Sequence, residues 1–242
     1  MSRSLGVMEA IRTTLPEWFL EAFVWVTLLG DLLFVAPALA LFYAVDVGSS
    51  IRRGRREEPL CSNRTASLIA TVFGGLALVV LLESVFALPR PPAEYHAIEA
   101  SEFGFPSGHT MAATVFWGAI ALWLPRGRRS VRLGVSGAIV LLVAVSRLAL
   151  GVHYLVDVVA SVAFGAIYLA VIVRVARDRP LRAFLAALGI ALAATVVAGA
   201  NERAALALVG TAVGLVGWWL VERPAIRGRV YAAYDRLGPG SA

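Results

Sequence analysis

Leu133–Val173 reads LGVSGAIVLLVAVSRLALGVHYLVDVVASVAFGAIYLAVIV. It holds two apolar runs, Leu133–Leu150 and Tyr154–Val173. Each is close to the roughly 20 residues that an α-helix needs to cross a bilayer core. Where the runs meet stand Arg147, His153 and Asp157, the stretch's charged and imidazole side chains apart from its ends. Such groups are expensive at membrane depth, so they are functional candidates by default. Ser146 stands beside them.

Working outward, the pattern repeats. Gly30–Val47, Ala66–Phe86 and Thr110–Leu124 precede the pair, and Ala183–Ala198 and Ala204–Val221 follow it. Leu15–Leu29 is also apolar but carries Glu17 and Glu21, and reads as an interfacial helix leading into the first span. The alternative is a span of its own. The final two runs are short and rich in Ala and Gly. Of the 242 residues, 59% are hydrophobic and 16% charged, more apolar than a water-soluble domain of this length requires. The expected fold is all-α: a polytopic transmembrane helical bundle of six to seven spans. One membrane domain is expected over 1–242, with a core at about 66–173 and an extra helical hairpin and tail over 174–242.

All 22 basic residues are Arg. They fall in short loops rather than in one stripe, so no nucleic-acid partner is expected despite the net charge of +6. A single cysteine, Cys61, excludes an intrachain disulfide and a cysteine metal cage. The first residues lack a secretory-signal pattern, so the N-terminus is expected to be retained. Four clusters (Arg52, Arg53, Arg55, Arg56, Arg64; Arg126, Arg128, Arg129, Arg132; Arg174, Arg177, Arg179, Arg182; Arg223, Arg227, Arg229, Arg236) hold 17 of the 22. With seven alternating spans all four share one face, and positive loops mark the cytoplasmic side. Arg3, Arg12, Arg90, Arg147 and Arg203 fall on the other face. A multi-pass cell-membrane protein with its site on the non-cytoplasmic face is the expectation.

On that opposite face four helix ends converge: Pro89-Arg90-Pro91, Pro106-Ser107-Gly108-His109, Ser146-Arg147 and His153 to Asp157. Arg90 and Arg147 offer planar forks that match phosphate oxygens and stay charged. Ser107 occupies a helix N-cap position, and Gly108 lets a ligand approach backbone N–H groups that favour an anion. His153 and Asp157, four apart, share a helix face. The carboxylate can hold one ring nitrogen and leave the other to attack. His109 is then placed to protonate a leaving alkoxide. No carboxylate cluster offers to hold a metal pair, so no metal or other cofactor is expected.

At these residues the chain resembles the type 2 phosphatidic acid phosphatase family. That family's motifs are Lys, six residues, Arg-Pro; then Pro-Ser-Gly-His; then Ser-Arg, five residues, His, three residues, Asp. The second is complete at Pro106–His109 and the third at Ser146–Asp157, in the right order. The resemblance covers roughly Ala66–Val173. It implies an acid phosphatase/vanadium haloperoxidase-like helical core that works without a metal, with the site away from the cytoplasm. It also implies that His153 is the nucleophile, Asp157 its orienting partner and His109 the acid, with Arg90, Ser107, Gly108 and Arg147 binding phosphate. The activity implied is hydrolysis of a lipid phosphate or diphosphate monoester through a phosphohistidine. Polyprenyl diphosphate, phosphatidic acid and a phosphatidylglycerol-phosphate type headgroup are the substrates considered.

The first motif departs. Seven residues before Arg90 the family has Lys, and here Glu83 stands. Either Glu83 faces away, or it pairs with an arginine such as Arg90 and holds it, or the protein is weakened or repurposed. The second reading is favoured. Elsewhere, His96 and Glu102 read as exposed loop residues, with a substrate contact the alternative, and Asp31 reads as the cap of the first span, with a place in the headgroup pocket the alternative. Gly210 and Gly214 read as close packing within the monomer, and Trp218 and Trp219 as an interfacial belt. The competing functions are transfer of the phosphoryl group to another alcohol, and a non-enzymatic carrier or scaffold. Vanadium haloperoxidases share a related pocket but are soluble. The oligomeric state is not encoded in any of these features.

Overall fold

The computed structural model describes residues 5–54, 56–124, 127–177 and 179–237. Arg3, Arg55 and Arg126 of the arginines above lie outside them. The helices are α1 (Gly6–Thr14), α2 (Glu17–Thr27), α3 (Leu32–Arg52), α4 (Asn63–Phe86), α5 (Gly108–Trp123), α6 (Arg129–Ala149), α7 (Leu155–Ala176), α8 (Pro180–Val197), α9 (Glu202–Val221) and α10 (Pro224–Leu237). Among the described residues the only β pairing is an isolated bridge between Pro89 and Phe103. The protein is an all-α, polytopic membrane bundle.

Six helices, α3, α4 and α6 to α9, are long and apolar enough to cross a membrane. The seventh expected span, α5, has only 16 residues, a rise of about 24 Å. It nonetheless runs from one end of the bundle to the other. His109 lies in its first turn at the site, and near its last turn the Ala121 carbonyl accepts a bond from Arg132 Nε at 3.0 Å. Neighbours α4, α6 and α7 surround it. A helix sheathed by protein has no need to match the bilayer by itself.

Side chains fix the helix starts. Asp31 caps α3 by accepting the Leu33 N–H at 2.8 Å, and Asn201 caps α9 by accepting the Ala204 N–H at 2.9 Å. Pro180 opens α8, where a missing N–H costs nothing. Small residues then let helices approach, since apolar burial alone gives little drive between helices in lipid. Ala183, Ala187, Ala191 and Ala194 on α8 are fully buried, and α4 packs closely on that helix. A Cβ on Gly74 of α4 would fall 3.1 Å from the Ala187 Cα. Buried Tyr168 of α7 donates to the Thr71 carbonyl of α4 at 2.8 Å, satisfying its hydroxyl.

The arginine-rich end is tied by separate contacts. Asp46 accepts the Ser62 N–H at 2.7 Å, and Glu222 accepts the Leu60 and Cys61 N–H groups at 3.1 and 2.8 Å. Arg223 lies over the Trp219 ring at 3.6 Å. The expected interfacial segment forms α2, whose 11 residues rise about 16 Å, too little to cross. It packs on α6, with Trp18 and Trp25 exposed. Gly214 packs against the Phe73 ring within the monomer, whereas a Cβ on Gly210 would meet nothing within 4 Å.

Candidate active site

The loop between α4 and α5 carries Arg90 to the site. The Pro89–Phe103 bridge and a 2.8 Å bond from the Gly104 N–H to the Leu88 carbonyl fold the loop back on itself. Arg90 then lies flat against Gly104. A Cβ there would fall 2.8 Å from Arg90 Cγ and 2.9 Å from its Cα, so the approach requires glycine. His96 Nε2 bonds the Pro91 carbonyl at 3.0 Å and is half-buried, so it pins this loop.

His153 is fully buried just before α7. Its Nδ1 lies 2.8 Å from the Gly104 carbonyl and 3.5 Å from Asp157 Oδ2. A carbonyl only accepts, so Nδ1 carries the proton and Nε2 presents its lone pair. That lone pair faces Arg90 Nη1 at 2.8 Å. Arg90 Nη1 also donates to the Val152 carbonyl at 3.0 Å, Nη2 donates to the Ser101 hydroxyl at 2.8 Å, and Nε donates to the Ser101 carbonyl. Burial, with Arg147 and Arg90 nearby, holds the His153 pKa well below the usual imidazole range. Asp157 is fully buried and also accepts the Tyr154 N–H at 2.9 Å, closing a capping box at the start of α7.

Ser107 is the N-cap residue of α5. Its hydroxyl meets the Thr110 hydroxyl at 3.0 Å, and it is buried behind the cavity wall. Ser161 ties the starts of α5 and α7 together, its hydroxyl within bonding range of the Ser107 and Asp157 carbonyls at 3.0 and 2.6 Å. Ser146 bonds the Val143 carbonyl at 2.7 Å within α6. Arg147, 2% exposed, donates from Nη1 to Thr27 at 2.9 Å, while its buried Nε has no hydrogen-bond partner among the described residues.

His109 Nε2 lies 2.9 Å from Asp31 Oδ2. Asp31 therefore caps α3 with one oxygen and holds an imidazole with the other. Gly30 permits this meeting, since a Cβ there would fall 2.3 Å from the His109 carbonyl oxygen. The His109 bond, ahead of burial that opposes it, lowers the Asp31 pKa.

Glu83 pairs with an arginine, as favoured above, but with Arg203 and not Arg90. Its Oε2 lies 2.6 Å from Arg203 Nη1, at the start of α9. Arg90 is instead spent on Ser101, Val152 and His153, which its loop brings nearer. Nor does Glu83 face away, for its side chain lines the cavity.

Arg90, Gly108, His109 and Arg147 share the wall of one cavity of about 690 Å³. His153, Ser107 and Asp157 stand behind that wall. Its upper part carries the charged groups, and its lower part runs between α4 and α9 past Phe73, Leu76, Leu206 and Ala207. Among the described residues, no three His, Cys, Asp or Glu side chains gather as metal ligands would. Sequence reasoning missed Gly104, Ser101, Thr27 and the place of Arg203 in the cavity wall.

Fold and site together define a multi-pass helical membrane protein with a cavity lined by His109, Arg90 and Arg147 at one end. Residues 64–181 match the model of the PAP2 superfamily. It is similar to phosphatidylglycerophosphatase B of Bacillus subtilis (strain 168), with 35% identity over 75 residues. That match covers 28% of this chain and 36% of the relative's length. It is also similar to the crystal structure of a transmembrane PAP2-type phosphatidylglycerolphosphate phosphatase from Bacillus subtilis. The TM-score is 0.58 at 25% identity, over 69% of this chain and 81% of that one.

Proposed function

We propose that this protein is a membrane phosphatase that removes phosphate from a lipid phosphate or diphosphate monoester through a phosphohistidine on His153. The observation that carries the reading is the His153 ring. Its Nδ1 proton is held by a backbone carbonyl, and its Nε2 lone pair is aimed at the Arg90 fork, 2.8 Å away.

An arriving phosphate takes the Arg90 donor now directed at His153, and Arg147 Nε supplies another. Both bonds are charge-assisted and so stronger than neutral ones. Nε2 attacks phosphorus, the P–O ester bond breaks, and the alkoxide takes its proton from His109. Asp157 stabilises the positive charge that His153 gains, as a triad carboxylate does. Water then attacks the phosphorus of the P–N bond and gives a proton to His109. Inorganic phosphate leaves, and His153 recovers its lone pair. The arginines and the N-terminus of α5 balance the phosphate charge.

The apolar lower wall of the cavity supports a lipid substrate, whose tail stays among helices while the headgroup meets the arginines. The names of the similar proteins favour a phosphatidylglycerol-phosphate type headgroup. The arginine clusters sit at the bundle end opposite the site, which favours a site on the non-cytoplasmic face. The core over 66–173 holds the reacting groups, and the later hairpin contributes cavity wall from α9.

The test is inorganic phosphate release from a panel of lipid phosphates, with and without a chelator, comparing wild type with His153→Ala. Chelator-resistant release that His153→Ala abolishes is the expected result. Activity that a chelator removes contradicts the mechanism. Turnover that requires an added alcohol favours phosphotransfer.

A further inference from the structure

We propose that Arg203 is a substrate-binding residue of this site, held at the cavity wall by Glu83. The inference rests on the phosphatase reading and deepens it.

Glu83 is 2% exposed in the last turn of α4. Its carboxylate lies against the start of α5, since a Cβ on Gly108 would fall 2.9 Å from Glu83 Oε1. That helix start is where an anionic headgroup is drawn. An unpaired buried carboxylate there would be costly in itself and would repel the substrate. The structure answers both problems with one contact, Arg203 Nη1 at 2.6 Å.

The contact leaves Arg203 well placed for an anion. A guanidinium has five N–H donors in a planar fork, so it can hold a carboxylate on one edge and phosphate oxygens on another. Arg203 is 47% exposed, unlike its partner. It lines the main cavity together with Arg90 and Arg147. It also walls a second hollow of about 140 Å³ beside Ser101, the residue that holds Arg90. The position where the resemblance expects Lys thus carries a tether, and the cation comes from a different helix. An α4–α9 clasp with no role in binding would not require its cation to face the cavity.

The test uses the full chain in detergent with a lipid phosphate as substrate and inorganic phosphate as competitive inhibitor. Losing one charge-assisted contact in Arg203→Ala should raise both KM and the phosphate inhibition constant roughly 10- to 100-fold. Arg203→Lys, which keeps a cation, should lose less. The double variant Glu83→Lys with Arg203→Ala should recover most of the loss, because it returns the cation from α4. A folded Arg203→Ala protein whose two constants stay within about twofold of wild type overturns the proposal. So does a double variant with restored thermal stability but no recovery of phosphate binding. Calorimetric binding of inorganic phosphate to wild type and Arg203→Ala separates the two readings. A difference there in a protein that hydrolyses no lipid phosphate would sink the phosphatase reading and leave Arg203 as an anion site.

Discussion

His109 Nε2 lies 2.9 Å from Asp31 Oδ2, so the residue that caps the first membrane helix also grips an imidazole in the cavity wall. A carboxylate there fixes the orientation of the ring read as the leaving-group acid. Asp31→Asn should lower kcat for a lipid phosphate roughly 10- to 100-fold, the range of one general acid step weakened. It should have little effect on an aryl phosphate whose leaving group needs no proton. Equal losses on both substrates would show that Asp31 acts only as a helix cap. The comparison needs only kcat for each substrate in the two proteins.

His153 supplies a second expectation. Its pKa is held below the ordinary value of about 6.5, first by burial and then by Arg147 and Arg90. The attacking form is neutral, so a lowered pKa preserves it as pH falls. The acid limb of kcat/KM should lie below pH ~6.5. Arg147→Gln removes a positive charge, which raises the His153 pKa and moves the limb to higher pH in the residual activity. A limb that stays fixed would remove Arg147 from the electrostatics of the nucleophile.

Gly104 does two things, accepting a hydrogen bond from His153 Nδ1 through its carbonyl and giving Arg90 room to lie down. Gly104→Ala places a methyl 2.8 Å from Arg90 Cγ, so Arg90 must shift. Misplacement by about 1 Å can cost on the order of 100-fold in rate. The expected outcome is a loss of that size in kcat/KM in a protein that still inserts into the membrane, with some loss of thermal stability because backbone at Pro89 and Arg90 must also move. Activity within twofold of wild type would mean that Arg90 need not occupy this position.

Much of this was legible in the sequence, and particular residues explain what was not. The spans declare themselves because about 20 apolar residues is a length fixed by the bilayer. Asp157 could be placed near His153 from helical spacing alone. Gly104 could not be found, because its contribution is a carbonyl that every residue possesses. Arg203 meets Glu83 only through the packing of α4 and α9, and no local pattern encodes that meeting. Asp31 was legible as a cap, since that job is local. Its second oxygen reaches α5, which is a tertiary fact.

Gly210 tests the lipid part of the account. It lies seven residues beyond Arg203 on α9, about 10 Å further along the helix. It lines the cavity, yet a Cβ there meets nothing within 4 Å, so a larger side chain fits without disturbing the bundle. Gly210→Leu should reduce kcat/KM for a long-chain lipid phosphate roughly tenfold or more, the scale of added methylenes in an apolar pocket. A water-soluble phosphomonoester should stay within about twofold. Equal effects on both would argue that the lower cavity holds no tail.

The most direct measurement is acid-free, rapid quenching of the protein during turnover of a phosphorus-radiolabelled lipid phosphate, followed by peptide mapping. The account predicts an acid-labile, alkali-stable label on His153 in wild type and none in His153→Ala. Label on another side chain, or undiminished turnover by His153→Ala, would contradict it.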